Sequence, residues 1–356
     1  MTEPADLADL ETIDQVIARA REVADPSSFT WAAAGAGQGV THSRNSAALN
    51  RLALVPRLMR DTGDVDMSSS FVGVPLGMPV MAAPVGALGI FDPGDAHAAA
   101  IAATEMGTSA ICSTLATSSW EEVAATAPGQ HLFQLYVLGD RSWIVDVLAR
   151  VGQAGFAGIC LTADTPVIAR RDQSLENGYT WSARPEGSPN LIRHGMDYSF
   201  RPKFTWPDLE WLCRQTDLPV IVKGVMTPAD AVEAVARGAS GIYVSNHGGR
   251  VVDHGLSTIE VLREIVEAVA GRADVGVDGG FTRGAEVCKA LALGARAVGI
   301  GRLQCWGLAI GGARGLVRVL EILRDEIAKT MANLGCRTVN DLTPDHVRWS
   351  IPAPPP

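Results

Sequence analysis

The stretch GIYVSNHG (residues 241–248) is followed by the segment TIEVLREIVEAVAG (258–271) and then by a second apolar run, DVGVDGG (274–280). Both apolar runs are nearly continuous rather than alternating, which is typical of parallel strands buried on both faces. The segment between them has the spacing of an amphipathic helix and ends at a glycine. The stretch therefore predicts a β–α–β unit.

The same pattern repeats along the chain from residue 80. Eight β–α units in series predict an α/β fold, a (β/α)8 TIM barrel, whose active site lies at the C-terminal ends of the strands. A doubly wound sheet is the alternative, although its usual strand count is lower. The predicted strands are VMAAPVG (80–86), SAICST (109–114), HLFQLYV (131–137), GICLTAD (158–164), PVIVKG (219–224), GIYVSNHG (241–248), DVGVDGG (274–280) and AVGIGR (297–302).

The chain is expected to form a single domain over residues 1–356. Length alone does not decide between one large domain and two average ones. The stretch SARPEGSPN (182–190) lies in the longest gap between strands, and it is predicted to be a mobile loop over the barrel mouth. The parts are an N-terminal helical extension (1–79), the barrel (80–313), and a C-terminal helix with a proline-rich tail (314–356).

The composition excludes several classes of protein. Hydrophobic residues make up 47% and charged residues 19%, which describes a globular chain rather than a disordered one. A net charge of −9 argues against a nucleic-acid partner. Residues 68–91 carry no charge but contain three prolines, which favours strand and loop over a membrane helix. Without an apolar N-terminal run, we expect a cytoplasmic protein with no membrane partner.

The six cysteines contain no C-x-x-C pair, and several lie in apolar runs. This pattern favours reduced thiols in the core, and we expect no metal site.

Polar side chains collect where the predicted strands end. Since the C-terminal ends of barrel strands meet at one rim, these side chains are expected to share a site. They are Gln134, Tyr136, Thr162, Asp164, Lys223, Asn246, His247, Asp278 and Arg302.

The predicted chemistry depends mainly on Lys223, His247 and Arg250. Lys223 is one of only four lysines and lies in an apolar strand, where an ammonium needs an anion or a strongly polar acceptor. His247 and Arg250 share a glycine-rich loop, where neutral imidazole can act as a base and a guanidinium can bind a carboxylate through two hydrogen bonds. Each residue also has a structural alternative when it is considered alone. Lys223 would be a strand-end lysine that reaches solvent, and His247 would be a core histidine.

Glycine-rich turns follow the seventh and eighth predicted strands, in VDGGFTRG (277–284) and GIGR (299–302). Such turns form the usual phosphate site of these barrels, and Arg302 and Arg283 would supply positive charge. GAGQG (35–39) is similar to a nucleotide loop, but no strand precedes it, so we interpret it as a turn. A phosphate-bearing cofactor beside a lysine and a His/Arg pair indicates a flavin mononucleotide (FMN) enzyme.

The sequence resembles the FMN-dependent α-hydroxy-acid oxidases and dehydrogenases, a family that includes glycolate-, lactate- and mandelate-oxidising enzymes. The resemblance implies oxidation of a small-molecule (S)-2-hydroxy acid to the 2-oxo acid with FMN as cofactor, oxygen as acceptor, and a homotetramer. The matching blocks are FQLYV, LTADTPVIARRD, VIVKGVMTPADA, VSNHGGRVVDHG and VDGGFTRGAEVCKALALGARAVGIGR.

At the substrate end, the resemblance makes His247 the base, with Asp164 as its carboxylate partner. Arg171 and Arg250 would bind the substrate carboxylate, and Tyr136 would hydrogen-bond near the reacting carbon.

At the cofactor end, the resemblance places Lys223 beside the part of the flavin where negative charge develops on reduction. The resemblance also places Arg283 at the ribityl-phosphate end of FMN. It is the residue after Thr282, which aligns with the family's phosphate-binding arginine. The other positions matched to FMN are Pro84, Val85, Gly86, Ser113, Gln134, Thr162, Ser245, Asp278, Gly280, Gly301 and Arg302.

The sequence departs from the family in two places. Trp31, in FTWAAAGAG, stands where the family has a tyrosine that binds the carboxylate. An indole is bulkier and offers only an N–H, which favours a larger, aromatic substrate such as mandelate or 4-hydroxymandelate. The loop between Asn177 and Trp206 is also shorter. Three alternatives stay open: a dehydrogenase with a quinone or carrier as acceptor, another FMN barrel such as an isomerase, and a barrel that binds flavin without turnover.

Overall fold

The computed structural model describes residues 7–177, 190 and 203–350. Strands and helices alternate from residue 80 onward, as the sequence pattern predicts. The strands are β1 (Leu52–Leu54), β2 (Ser69–Phe71), β3 (Val74–Leu76), β4 (Val80–Ala82), β5 (Ile111–Ser113), β6 (Leu132–Leu135), β7 (Gly158–Thr162), β8 (Val220–Val225), β9 (Gly241–Val244), β10 (Asp274–Val277), β11 (Ala297–Ile300) and β12 (Val347–Trp349). The α-helices of the described residues are α1 (Ile13–Val23), α2 (Pro26–Ala33), α3 (Val40–Arg51), α4 (Asp95–Glu105), α5 (Trp120–Thr126), α6 (Arg141–Ala154), α7 (Asp172–Glu176), α8 (Trp206–Cys213), α9 (Pro228–Ala236), α10 (Thr258–Val269), α11 (Gly284–Ala292) and α12 (Arg302–Leu334).

Strands β4 to β11 form one parallel sheet in which consecutive strands are neighbours and β11 pairs with β4. The remaining gap is closed by a parallel bridge between Ala82 and Ala110. The Ala82 N–H donates to the Ser109 carbonyl at 3.1 Å across this bridge. The predicted (β/α)8 barrel is therefore confirmed.

The amino end of the barrel is plugged by the hairpin of β2 and β3. Phe71 packs edge-on against Tyr243 inside the barrel, with ring centroids 6.1 Å apart. The hairpin is fixed to the barrel by two hydrogen bonds, from the Val72 N–H to Asp274 Oδ2 (2.8 Å) and from Ser69 Oγ to the Arg296 carbonyl (2.7 Å). With this end filled, the C-terminal ends of the strands are left to form the cavity.

The N-terminal extension is helical because its turns carry good start signals. Thr12 and Gln15 form a capping box at α1, and Asp25 accepts from the Ser28 N–H at 2.9 Å at the start of α2. The GAGQG stretch is a turn into α3, as interpreted, with left-handed φ values at Gly37 and Gly39.

The C-terminal part holds two features that the sequence did not predict. Helix α12 begins at Arg302, and non-helical backbone at Gly311 and Gly312 separates its unpredicted first part from the part that runs on to Leu334, where the C-terminal helix was predicted. After α12 the chain forms β12, which pairs antiparallel with β1 of the extension. The proposed boundaries at residues 79 and 313 stay predictions.

The predicted loop SARPEGSPN lies, except for Asn190, outside the described residues, as does most of the segment between Asn177 and Trp206. Asn190 itself anchors to the loop after β5, where Nδ2 donates to the carbonyls of Ala116 (3.0 Å) and Ser118 (2.8 Å). Within the described ranges, the helices lack the combined length and apolar character needed to cross a membrane.

The barrel interior generates a prediction about Gly299 in β11. A Cβ at this position would overlap the hydroxyl of Tyr243, which is buried and has no hydrogen-bond partner among the described residues. We expect Gly299→Ala to lower the free energy of unfolding by about 1–3 kcal/mol, since a filled core resists added volume. Denaturant unfolding measures this loss.

The matched background is Tyr243→Phe, which removes the hydroxyl and is expected to be nearly neutral alone. In that background Gly299→Ala should cost clearly less. An equal loss in both backgrounds would contradict the steric explanation.

Candidate active site

A cavity of about 670 Å³ opens at the C-terminal ends of the barrel strands. Its walls combine strand ends, the loops that follow them, and the N-terminal extension. Among the predicted site residues, those that line it are Trp31, Pro84, Val85, Gly86, Tyr136, Arg171, Lys223, His247, Arg250, Asp278, Gly280, Gly301 and Arg302.

Other predicted residues lie one contact behind this lining. Asp164 hydrogen-bonds to His247 and Ser245 to Lys223, whereas Ser113 Oγ accepts from the N–H of the lining residue Leu115 and donates to Gln134, one contact further back. Thr162 lies beside Lys223 in the register of β7 and β8.

Arg283 is not brought to the cavity. Its guanidinium pairs with Glu326 of α12 at 2.8 Å and with Asp14 of α1 at 3.5 Å. Its charge is therefore engaged in holding α11 and α12 together with the extension. The role assigned to it from the resemblance has no support from its position.

The loop after β9 has an unusual backbone that explains its two glycines. His247, Gly248 and Gly249 have φ values of +57°, +65° and +73°, so three successive residues are left-handed. A side chain on Gly248 would meet Arg302 Nη1 at 2.8 Å, and one on Gly249 would meet the His42 backbone at 2.5 Å. Left-handed backbone at a non-glycine residue costs energy and is concentrated at functional sites. The loop places His247 at the cavity at this cost.

His247 and Asp164 form a hydrogen-bonded pair. His247 Nδ1 lies 3.0 Å from Asp164 Oδ1, and Nε2 lies 3.5 Å from the Tyr136 hydroxyl. Burial lowers the pKa of His247 below its usual value, although Asp164 opposes this. Burial would raise the pKa of Asp164, but His247 and Lys223 hold it below the usual value. An ionised Asp164 therefore accepts from Nδ1–H and leaves the Nε2 lone pair of a neutral ring as a base.

Lys223 is only 2% exposed. Its Nζ donates to Ser245 Oγ at 2.9 Å and lies 3.8 Å from Asp278 Oδ2, while Ser245 Oγ donates to Asp278 Oδ1 at 2.6 Å. Burial would lower the pKa of Lys223, but the carboxylates of Asp278 and Asp164 outweigh it and raise the pKa above its usual value. The buried lysine therefore stays charged, as the sequence argument required.

Gly224, in the bulge of β8 next to Lys223, has φ +104°, and a Cβ there would overlap Asp164. The bulge thus lets Asp164 approach the strand that carries the lysine.

Helix α2 holds two arginines at the cavity through its last carbonyl groups. Arg250 Nη1 donates to the carbonyls of Trp31 (2.7 Å), Ala32 (3.0 Å) and Ala34 (3.0 Å). Arg302 donates to Ala32 through Nε (2.6 Å) and to Ala34 through Nη2 (3.2 Å). Carbonyls at a helix C-terminus lack partners within the helix and carry partial negative charge. The sequence reasoning missed this role of α2, because backbone acceptors leave no residue signature.

The arginines at the cavity also repel one another. Burial and then Arg171 and Arg302 lower the pKa of Arg250 well below its usual value, and burial lowers that of Arg302 to about 10. Arg171 Nε is buried without a hydrogen-bond partner among the described residues. An anion entering the cavity would relieve this repulsion, so the arrangement favours anionic ligands.

FMN can be tested against the groups that are present. Ser113 Oγ donates to Gln134 Oε1 at 2.9 Å, which leaves the buried Gln134 Nε2 as a donor without a partner among the described residues. Gly280 is left-handed, and a Cβ at Gly301 would meet open space. An amide donor, a charged lysine and two glycine turns match a flavin ring with a polar edge and a phosphate end. The residues therefore fit FMN.

His42 and Leu115 are among the lining residues that sequence reasoning missed. His42 follows the GAGQG turn in the first turn of α3, and a polar residue just after such a turn was the available signal. Leu115 follows β5 and gave no signal, since an apolar residue after a strand is ordinary.

Comparison with known proteins gives a consistent result. A model of the FMN-dependent dehydrogenase family matches residues 20–349. Glycolate oxidase from Spinacia oleracea is 37% identical over 97% of this chain and 98% of its own length, and L-lactate oxidase from Nostoc sp. is 36% identical over 88% of this chain and 91% of its own. The crystal structure of mandelate oxidase matches with a TM-score of 0.89 at 35% identity, covering 96% of this chain and 99% of that one. The chain belongs to the FMN-dependent dehydrogenase family, and its cofactor is FMN.

Proposed function

We propose that this enzyme oxidises a bulky, aromatic (S)-2-hydroxy acid, such as mandelate or 4-hydroxymandelate, to the 2-oxo acid, and that oxygen reoxidises the flavin. The observation that carries the proposal is one cavity that holds the His247–Asp164 pair and two arginines beside an apolar wall. Oxidation of a 2-hydroxy acid with FMN agrees with the glycolate and lactate oxidases among the relatives.

Five residues at the cavity have a part in this reaction. Arg171 and Arg250 bind the substrate carboxylate, which supplies the anion that their mutual repulsion favours. His247 Nε2 accepts a proton from the substrate, and Asp164 stabilises the resulting imidazolium. FMN, when bound, supplies the acceptor for two electrons. Lys223 stabilises the negative charge that accompanies this transfer.

The apolar wall supports a large substrate. Trp31 is buried, and its ring lies under the Arg250 guanidinium at 4.7 Å. The indole therefore stacks on Arg250, whereas the tyrosine that the family has at this position offers a hydroxyl. Leu115 and Ile168 line the same cavity, and Ile168 is well exposed at its mouth. A structure of mandelate oxidase with benzoyl-formic acid, an aromatic ligand, matches this chain with a TM-score of 0.88. Glycolate oxidase is equally similar in sequence, so a substrate panel must discriminate between the two sizes.

A dehydrogenase with a quinone or carrier as acceptor is the second candidate. The homotetramer, the cytoplasmic location and the individual residue roles also remain predictions.

The direct test is oxygen consumption by the FMN-loaded enzyme with glycolate, lactate, (S)-mandelate and 4-hydroxymandelate. We expect kcat/KM for (S)-mandelate to exceed that for glycolate by roughly tenfold or more, since apolar contacts discriminate by about 10–200-fold. A preference for glycolate would contradict the aromatic substrate. Flavin reduction without oxygen consumption would favour the dehydrogenase.

Removal of the imidazole of His247 tests its role as the base. His247→Gln should lower kcat/KM by about 10²–10⁴-fold, because a positioned base contributes that much. Bound FMN should be retained, and its absorbance measured on the purified variant is the control. Loss of FMN together with activity would instead give His247 a structural role.

The pH dependence tests the His247–Asp164 pair. Because the base must be deprotonated, kcat/KM should rise with pH through the His247 pKa, which lies below its usual value. Asp164 raises that pKa, so Asp164→Asn should move the rise to lower pH while lowering the maximal rate. A rise that moves to higher pH would contradict the pairing.

Leu115 tests the size of the substrate pocket. Leu115→Phe adds volume beside Gly86, where a Cβ would already lie 3.0 Å from Leu115 Cβ. We expect kcat/KM for (S)-mandelate to fall about tenfold or more and that for glycolate to change little. Leu256→Phe, at an exposed position away from the cavity lining, is the matched control. Equal losses for both substrates would place the pocket elsewhere.

A further inference from the structure

His42 lies in the first turn of α3 and lines the same cavity as the residues that fit FMN. Helix α3 packs tightly against two of the loops at the barrel mouth. A Cβ on Gly249 would lie 2.5 Å from the His42 backbone nitrogen, and one on Gly280 would lie 2.9 Å from Asn45 Cβ. The first turns of α3 are therefore held between the loop after β9 and the glycine turn after β10.

One ring nitrogen of His42 lacks a hydrogen-bond partner among the described residues. Nδ1 is buried and has no hydrogen-bond partner among the described residues, whereas the ring hydrogen-bonds to the backbone of Gly248. A buried polar atom without a partner destabilises the folded protein and calls for an explanation such as a ligand. His42 faces the cavity, so a ligand atom in the cavity can provide the partner.

The charges around His42 are positive. Arg302 from the start of α12 and Arg250 from the loop after β9 act on its ring, and Arg21 of α1 lines the same cavity. The carboxylate of Asp253 is engaged with the Thr41 N–H of the same turn at 2.9 Å. Burial, followed by Arg302, lowers the pKa of His42 to about 4, so the ring is neutral at pH 7 while no anion is present.

His42 and Arg302 meet at one backbone position. Arg302 Nη1 donates to the Gly248 carbonyl at 2.9 Å, and Gly248 is also the backbone partner of the His42 ring. Arg302 begins α12, directly after the turn that follows β11. The turns after the seventh and eighth strands of such a barrel, together with a helix N-terminus, form its usual phosphate site.

We propose that His42 binds the phosphate of FMN in its protonated form, as a partner of Arg302. This rests on the proposed placement of the phosphate at the turns after β10 and β11. The arriving dianion raises the pKa of the imidazole, since an opposite charge favours the charged form, and Nδ1 takes a proton from solvent. Nδ1–H then donates to a phosphate oxygen.

Binding of FMN and protonation of His42 favour each other. The pKa of His42 is higher with FMN bound than the value of about 4 without an anion. The contribution of His42 to FMN affinity is therefore present below the bound-state pKa and is lost as the pH rises through it.

The experiment compares FMN with riboflavin, which lacks the phosphate. Apoprotein of the wild type, of His42→Gln and of the control His97→Gln is titrated with each flavin at pH 6 and pH 9, and quenching of flavin fluorescence reports binding. Glutamine keeps a polar side chain but does not titrate, and His97 lies on α4 away from the cavity lining. At pH 6 we expect His42→Gln to bind FMN about tenfold more weakly with riboflavin unchanged, which is the range of a hydrogen bond to a charged group. At pH 9 the difference should disappear, and His97→Gln should match the wild type throughout.

If the wild type binds FMN more tightly than riboflavin, three results for the variant would overturn the proposal for His42. They are an unchanged FMN affinity in His42→Gln, an equal loss for both flavins, and a difference that persists at pH 9. A wild-type protein that binds riboflavin as tightly as FMN would overturn the placement of the phosphate itself, and the role of His42 with it.

Discussion

The buried ammonium of Lys223 is the charge on which the rest of the site depends. At 2% exposure it cannot be solvated by water, so the protein must surround it with anions and polar acceptors. Asp164 after β7, Ser245 after β9 and Asp278 after β10 supply them, and Asp164 also orients His247. A single charge in the middle of the barrel thus links the ends of four neighbouring strands. The same arrangement fixes the base of the proposed reaction and places a cation at the cavity.

The N-terminal extension forms part of this site, because its residues line the cavity and bind two of its arginines. The last carbonyls of α2 bind Arg250 and Arg302, and Trp31 of the same helix stacks on Arg250. Two guanidiniums that repel each other are held at the cavity by a helix end of partial negative charge. Anionic ligands then find donors that are already oriented, which lowers the ordering cost of binding. The barrel and its extension therefore build the cavity together.

Much of the fold could be predicted from the sequence because parallel strands buried on both faces appear as continuous apolar runs. The polar residues at strand ends could be grouped because a barrel brings those ends together. The contacts of α2 could not be predicted, since carbonyl acceptors are common to all residues. The engagement of Arg283 with Glu326 and the approach of His42 to Gly248 depend on tertiary packing across distant segments. Strands β1 and β12 have three residues each, too few to show a pattern.

We propose that the residues around Lys223 and His247 let FMN accept electrons from an aromatic 2-hydroxy acid. The most direct measurement is the absorbance of the oxidised flavin after the FMN-loaded protein is mixed with (S)-mandelate in the absence of oxygen. We expect the band to bleach within a single turnover and to return when oxygen is admitted. A band that stays unchanged with (S)-mandelate, 4-hydroxymandelate, lactate and glycolate alike would contradict electron transfer from a 2-hydroxy acid to FMN at this site.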